Sequence, residues 1–180
     1  MILVVAATAR ELEGAGGAEN VVCGIGPVEA ALATARAISE RRPDAILHVG
    51  IAGSRTFAPP AVVLGSKSVY CDVVDAKSVI PRVHHVAPDA RLLAAAKRAL
   101  PHAHVCAIAT SASVGGGTTC NVEAMEGFGV LRAAALAAVP ALELRTVSND
   151  VGERDRAQWR FDDALAALRD AVPRVLAAWS

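Results

Sequence analysis

The sequence predicts an α/β layer fold built on a largely parallel or mixed sheet. Short apolar runs of strand length alternate with stretches whose apolar residues recur at helical spacing, and several of the runs break into glycine. Apolar residues make up 53% of 180 positions while only 3% are aromatic, so Ala, Val and Leu must supply the core. That length suits one domain, residues 1–180, able to bury a sizeable interior.

The elements follow in order. "MILVVAA" is a buried strand running towards Glu11, and "NVVCGIG" is a second strand stopped by a glycine pair. Pro27 then takes the first-turn position of a helix, whose apolar side chains fall at 28, 31, 32, 35 and 38. "DAILHVGIAGS" is a strand opening into a glycine loop, and "AVVLGSKSVYCDVVD" reads as one or two strands. Residues 76–88 read as irregular, with His84 and His85 on the surface. "PDARLLAAAKRAL" begins with Pro and Asp, as a helix does, and leads to the strand "AHVCAIATSAS" and the loose "VGGGTTCN". A helix is expected from Glu123 to Ala138, ended before Pro140, with "ALELRTVS" as the next strand. After the charged loop 150–160, Leu165, Leu168, Val172, Val175 and Trp179 form one helical stripe that Pro173 should kink or restart.

Eighteen basic residues balance eighteen acidic ones, so no electrostatic case exists for nucleic acid or an anionic membrane. Cys23, Cys71, Cys106 and Cys120 are far apart and form no metal-ligand spacing; they read as small, partly buried thiols of a reducing compartment. The N-terminus lacks the basic region of a signal peptide, and no apolar run reaches the roughly 18 residues of a membrane span. A cytoplasmic protein is expected.

Ligands of open α/β sheets collect beyond the carboxyl ends of strands. That directs attention to Glu11, Gly24 to Gly26, Gly50 to Gly53, Thr110 to Val114, and Ser148-Asn149. "GIGPVEAA" offers helix-terminal N–H groups to an anion, or is simply a tight turn; it lacks the third glycine of a dinucleotide fingerprint and the Lys of a P-loop. "HVGIAGS" permits close approach of a flat ligand, or turns the chain. Glu126 is either a ligand-gripping carboxylate or ordinary first-turn chemistry, and Gly127 and Gly129 beside it mark a place that something approaches closely.

The order of these segments is more specific than any one of them. "GIGPVEAALA", then "HVGIAG", then "VEAMEGFGVLRAAALAAVPALELRTVSN" resembles the nucleoside phosphorylase and nucleosidase superfamily, over residues 1–54 and about 104–176. Within it, "EAMEGFGV…PALELRTVSNDVGERDRAQWR" is similar to the futalosine hydrolases of the alternative menaquinone route. The resemblance implies a three-layer α/β/α fold with a central mixed sheet, an N-ribosidic hydrolysis and no cofactor or metal. It implies that Glu126 grips ribose with Met125 packed on the sugar, and that Glu11, or Glu13 two residues on, orients water. Asn149 stands at the purine where adenine-cleaving relatives have Asp, and Trp159 at an aromatic lid. Gly50, Ile51, Ala52, Gly53, Val114, Arg145 and Arg156 complete the expected set. Val114 falls where adenine-cleaving relatives put a base-stacking Phe.

Chemistry narrows the implied substrate. Hypoxanthine presents acceptors at N7 and O6, which an Asn amide with two N–H donors suits. The resemblance also disfavours phosphorolysis, because His48 and Ile51 stand where the phosphorylases of that superfamily have phosphate-binding Arg and hydroxyl residues. Two alternatives stay open: an adenine-releasing nucleosidase of the methylthioadenosine or aminofutalosine type, and a catalytically inactive nucleoside-binding protein. Futalosine carries a 5′ extension ending in a carboxyphenyl group, for which Arg154, Arg156 and Arg160 around Trp159 are candidate partners; they could equally pair with Glu153, Asp155 and Asp162. A homodimer or higher oligomer is expected, with residues 72–88 as the contributed segment.

Overall fold

The computed structural model describes residues 1–74, 83–115 and 118–179. Among the described residues, eight strands and four α-helices follow one another: β1 (Ile2–Ala6), β2 (Glu19–Val22), α1 (Pro27–Arg41), β3 (Ala45–Ser54), β4 (Val62–Tyr70), β5 (His85–Val86), α2 (Ala90–Ala99), β6 (His104–Thr110), β7 (Val122–Ala124), α3 (Gly127–Leu136), β8 (Ala141–Asp150) and α4 (Phe161–Trp179). A 3₁₀ helix, Ala9–Ala15, follows β1, and a 3₁₀ turn, Arg156–Gln158, precedes α4.

The strands form one mixed sheet in the order β2-β1-β3-β7-β6-β4-β5, with β8 paired to both β3 and β4. Pairing is parallel for β1 with β2 and β3, for β3 with β8, and for β6 with β4 and β7. It is antiparallel for β3 with β7 and for β4 with β5 and β8. The path β3-β8-β4-β6-β7 returns to β3, so the sheet curls into a closed ring of five strands.

Strand periodicity explains the three layers. Along β1, Leu3 and Val5 pack with Ala30, Ala37, Val130 and Leu131 of α1 and α3, whereas Val4 and Ala6 pack with Ala96, Leu168 and Val172 of α2 and α4. Alternate residues thus meet helices on opposite faces, which is why the strands read as unbroken apolar runs. A third cluster, Ala52, Val63, Ile108, Val122 and Val147, links strands of the ring.

The structure corrects or completes the sequence reading at four places. Helix α3 starts at Gly127, and Val122–Ala124 are strand, because their backbone closes the ring between β3 and β6. Tertiary pairing overrides the helical pattern there. "VVLGSKSVY" is one strand, which settles the choice between one and two, and His85–Val86 of the segment read as irregular adds an antiparallel edge to it. Helix α4 passes through Pro173 without restarting. Residues 9–15, unassigned from sequence, form the 3₁₀ helix that carries Glu11.

The close approaches signalled by Gly127 and Gly129 are present. A Cβ at Gly129 would lie 2.4 Å from the Pro27 carbonyl oxygen, where α3 crosses the start of α1. That neighbour is backbone and cannot swing aside. Gly129→Ala should therefore destabilise the fold by about 1–3 kcal/mol, read as a lower denaturation midpoint in urea; an unchanged midpoint would mean that the helices separate freely.

Candidate active site

A cleft of about 440 Å³ opens at the carboxyl ends of β1, β3, β6 and β8, beside β7. Its wall includes Glu11, Ile51, Ala52, Gly53, Val114, Met125, Glu126, Asn149, Arg156 and Trp159. Those ten residues come from five separate segments, and the fold brings them together. Thr8, Arg10, Ile25, Glu123, Ser148, Val151, Phe161 and Leu165 also line it.

Glu126 is the N-cap of α3, and its Oε1 accepts from the Gly26 N–H at 3.2 Å. Gly26 in turn caps α1 with φ 97°, a left-handed value that favours glycine. The positive ends of two helices therefore meet at one carboxylate. The anion that "GIG" cradles is a side chain of the protein itself. Glu126 Oε2 faces Arg145 Nη2 at 3.3 Å.

Arg145 corrects an expectation. It was expected to contact substrate, but it lies beneath the cleft, 1% exposed, and does not line it. Its Nε donates to Glu143 Oε1 at 2.9 Å, its Nη1 to the Ile51 carbonyl at 3.3 Å, and its Nη2 also contacts His48 Nε2. Burial alone would lower the guanidinium's pKa, but the carboxylates of Glu143, Glu126 and Glu11 more than reverse that and raise it. Gly50 likewise leaves the ligand set. A Cβ there would strike Arg145 Nη1 at 2.2 Å and Glu11 Oε1 at 2.8 Å, so its missing side chain is the space those groups occupy.

His48 Nδ1 lies 2.9 Å from the Val5 carbonyl, which only accepts, so Nδ1 carries the proton. Nε2 is then the lone pair that meets Arg145. Burial, and then the Arg145 charge, hold this imidazole well below its usual pKa, and it is neutral. Glu143, whose Oε2 accepts from Ser68, is raised mainly by burial, with Arg145 opposing. Sequence reading passed over Glu143, although it stands two residues before Arg145 on one strand and so shares its face.

Glu11 is held at both oxygens. Oε2 accepts from the Thr8 N–H at 2.9 Å and hydroxyl at 2.8 Å, and Oε1 from the Ile51 N–H at 3.0 Å. Glu13 instead points outward to Arg169, at 3.6 Å, and is not at the cleft. At the opposite wall, Asn149 Oδ1 accepts from the Ser148 hydroxyl at 2.7 Å, and its Nδ2 donates to the Asp150 carbonyl at 2.8 Å.

Of the three loop arginines, only Arg156 lines the cleft, 5.8 Å over the Trp159 ring. Arg160 is turned to Asp163 at 2.7 Å and to the Pro59 carbonyl at 3.0 Å. Asp162 is taken by Arg10 at 2.9 Å. His84 and His85 are exposed and stack edge to face on each other; residues 75–82 of the segment 72–88 lie outside the described residues. All four cysteines are free, and burial, then Glu126, push the Cys23 thiol up to about 12. Among the described residues, no three His, Cys, Asp or Glu side chains are placed to share a metal ion, and no helix is long and apolar enough to cross a membrane.

Residues 16–178 match the Phosphorylase superfamily, the class that this sheet and cleft define. The chain is 38% identical to the futalosine hydrolase of Streptomyces coelicolor, over 91% of its own length and 81% of that protein's. A shorter stretch, 32% of this chain and 23% of the relative, is 53% identical to the futalosine hydrolase of Acidothermus cellulolyticus. The fold also superposes on an S-adenosylhomocysteine nucleosidase from Streptococcus pyogenes with a TM-score of 0.82 at 21% identity, covering 99% of this chain and 94% of that one. The 5′-methylthioadenosine/S-adenosylhomocysteine nucleosidase from Colwellia psychrerythraea 34H, in complex with adenine, gives 0.84 at 21% identity, covering 98% and 94%. These two likenesses concern the fold alone. The chain belongs to the futalosine hydrolase family of the Phosphorylase superfamily, a family of N-glycosyl hydrolases.

Proposed function

We propose that this chain hydrolyses the N-ribosidic bond of futalosine, releasing hypoxanthine and the sugar-derived remainder. The observation that carries this reading is the fixed Asn149 amide. With Oδ1 held by the Ser148 hydroxyl, the amide presents nitrogen and not oxygen, and its second N–H suits N7 or O6 of a 6-oxopurine. The 38% identity to a futalosine hydrolase supports the same substrate.

In this mechanism the C1′–N9 bond breaks with its electron pair passing to the purine, whose N7 side is steadied by Asn149. Positive charge grows on the sugar. Glu126, accepting from the ribose hydroxyls, binds that cation more strongly than the neutral sugar, which is what lowers the barrier. Arg145 from below and the helix ends from the side hold the carboxylate so that it need not reorganise. Glu11 orients water towards C1′ and takes a proton as the new C–O bond forms; the departing base takes a proton from solvent water, and Glu11 then returns its own to solvent. Met125 packs on the sugar, and Trp159 covers it beside Phe161, 5.4 Å away between centroids.

Water is the nucleophile in this reading because the phosphate ligands are wrong. His48 is buried, neutral and engaged at both nitrogens, and Ile51 offers no hydroxyl. The 5′ carboxylate of the substrate would meet Arg156, and Arg10 also lines the cleft. We also infer a cytoplasmic homodimer. Ile25, Val28 and Leu32, 62%, 64% and 66% exposed, make an apolar stripe that starts at the cleft rim and continues along α1, a face that a second copy would cover.

Incubation with futalosine, its 6-amino counterpart, methylthioadenosine and inosine should give hypoxanthine from futalosine, with no sugar 1-phosphate when phosphate is added. Adenine as the preferred product, or a sugar 1-phosphate by mass spectrometry, would replace this reading. Glu126→Gln should lower kcat roughly 100-fold or more with the circular dichroism spectrum unchanged; near-normal turnover would remove Glu126 from the chemistry. Arg156→Met should raise KM for futalosine roughly tenfold while leaving inosine, which has no carboxylate, almost unaffected. Equal effects on both nucleosides would assign Arg156 to holding the loop.

A further inference from the structure

Glu123 is a third carboxylate on the cleft wall, beside Glu11 and Glu126, and neither the sequence reading nor the mechanism above gives it a role. It sits at the middle of β7 and is only 7% exposed. Oε1 is occupied, by Arg55 Nη2 at 2.6 Å and by the Thr118 hydroxyl. Oε2 is buried and has no hydrogen-bond partner among the described residues. A buried carboxylate oxygen without a donor costs free energy, and in a ligand-free cleft it marks where a donor of the ligand belongs.

The sheet register says which end of the ligand that is. Gly53 of β3 pairs with Glu123 on one side and with Asn149 on the other. Directly paired residues project to the same face of a sheet, so the carboxylate and the amide stand in one row. Between them Gly53 has no side chain, and a Cβ there would come within 3.1 Å of Asn149 Nδ2. Two strand spacings, about 10 Å, separate the outer strands. The result is a flat slot with an N–H donor on one wall and an acceptor on the other.

A 6-oxopurine has the matching edge: acceptors at N7 and O6, followed at N1 by an N–H. A 6-aminopurine presents a lone pair at N1, which a carboxylate repels. We propose that Glu123 is a specificity-determining residue that accepts the purine N1–H through Oε2, facing Asn149 across Gly53. Arg55 holds the negative charge at the opposite oxygen and leaves Oε2 for the base. This rests on the reading of the substrate as a 6-oxopurine nucleoside, and it adds a second, independent contact that selects it.

The test measures binding of hypoxanthine and 1-methylhypoxanthine by calorimetry, and kcat/KM on futalosine and its 6-amino counterpart. Wild type should bind hypoxanthine roughly 10- to 100-fold more tightly than the 1-methyl base, which lacks the N1–H. Glu123→Ala should lose most of that preference. Glu123→Gln, whose amide can offer oxygen to one base or N–H to the other, should narrow the ratio of kcat/KM between the two nucleosides. Equal wild-type affinity for both bases overturns the proposal without any variant. Unchanged discrimination in a folded Glu123→Gln protein that still cleaves futalosine also overturns it, leaving the substrate reading intact. If wild type releases no hypoxanthine from futalosine, the substrate reading fails and this one with it.

Discussion

Arg145 is a guanidinium shut away from water under the floor of the cleft, and the surrounding architecture is arranged around that fact. A buried cation is tolerable only when paired and hydrogen-bonded, and this one has Glu143 and Glu126, the Ile51 carbonyl and a neutral His48. Those partners come from β3, β8 and the start of α3, so the ion cluster ties the parallel core of the sheet to the helix that positions Glu126. Gly50 and Gly127 are part of the same arrangement: a Cβ on either would collide with Arg145 or with the Glu143 carboxylate. Two of the glycines that look like loop punctuation in the sequence are therefore spaces kept for charged side chains.

The same cluster sets the local electrostatics. Glu11, Glu126 and Glu143 are gathered about one fixed cation, and Arg145 opposes the rise that burial imposes on the pKa of Glu143. The cleft thereby retains negative character where a sugar would become cationic, without leaving an isolated charge in the core. His48 shows how a polar residue can occupy this interior. Its ring bridges the Val5 carbonyl and the guanidinium as a neutral spacer.

Much of the architecture was legible because both faces of the central strands are covered. "MILVVAA", "DAILHVGIAGS" and "ALELRTVS" have only one reading as buried strands, and α1, α2 and α4 carry clear helical stripes. What escaped depends on long-range pairing. Val122–Ala124 are too short to show a period, and their strand character comes from partners about 70 and 14 residues away, at Gly53 and Ile108. The site residues named from strand ends or from the resemblance, such as Glu11, Met125, Glu126, Asn149 and Trp159, do converge on the cleft. Arg145 and Gly50 were misplaced for a common reason: sequence gives adjacency to a site but not which side of the sheet surface a group occupies. Glu123 was passed over because its unmatched oxygen exists only in three dimensions.

The three-residue strand β7 joins β3 to β6 and so completes the ring. Being clamped on both edges, it cannot slide along either neighbour without opening the sheet. On the proposed reading, the stretch from Glu123 to Glu126 is a rigid gauge, with the carboxylate proposed to face the base at one end and that proposed to face the sugar at the other. A nucleoside would then be measured against it by the distance from base edge to ribose hydroxyls. A different 5′ group would meet the loop residues around Trp159, whereas a base joined to its sugar through a different ring atom would be off the scale.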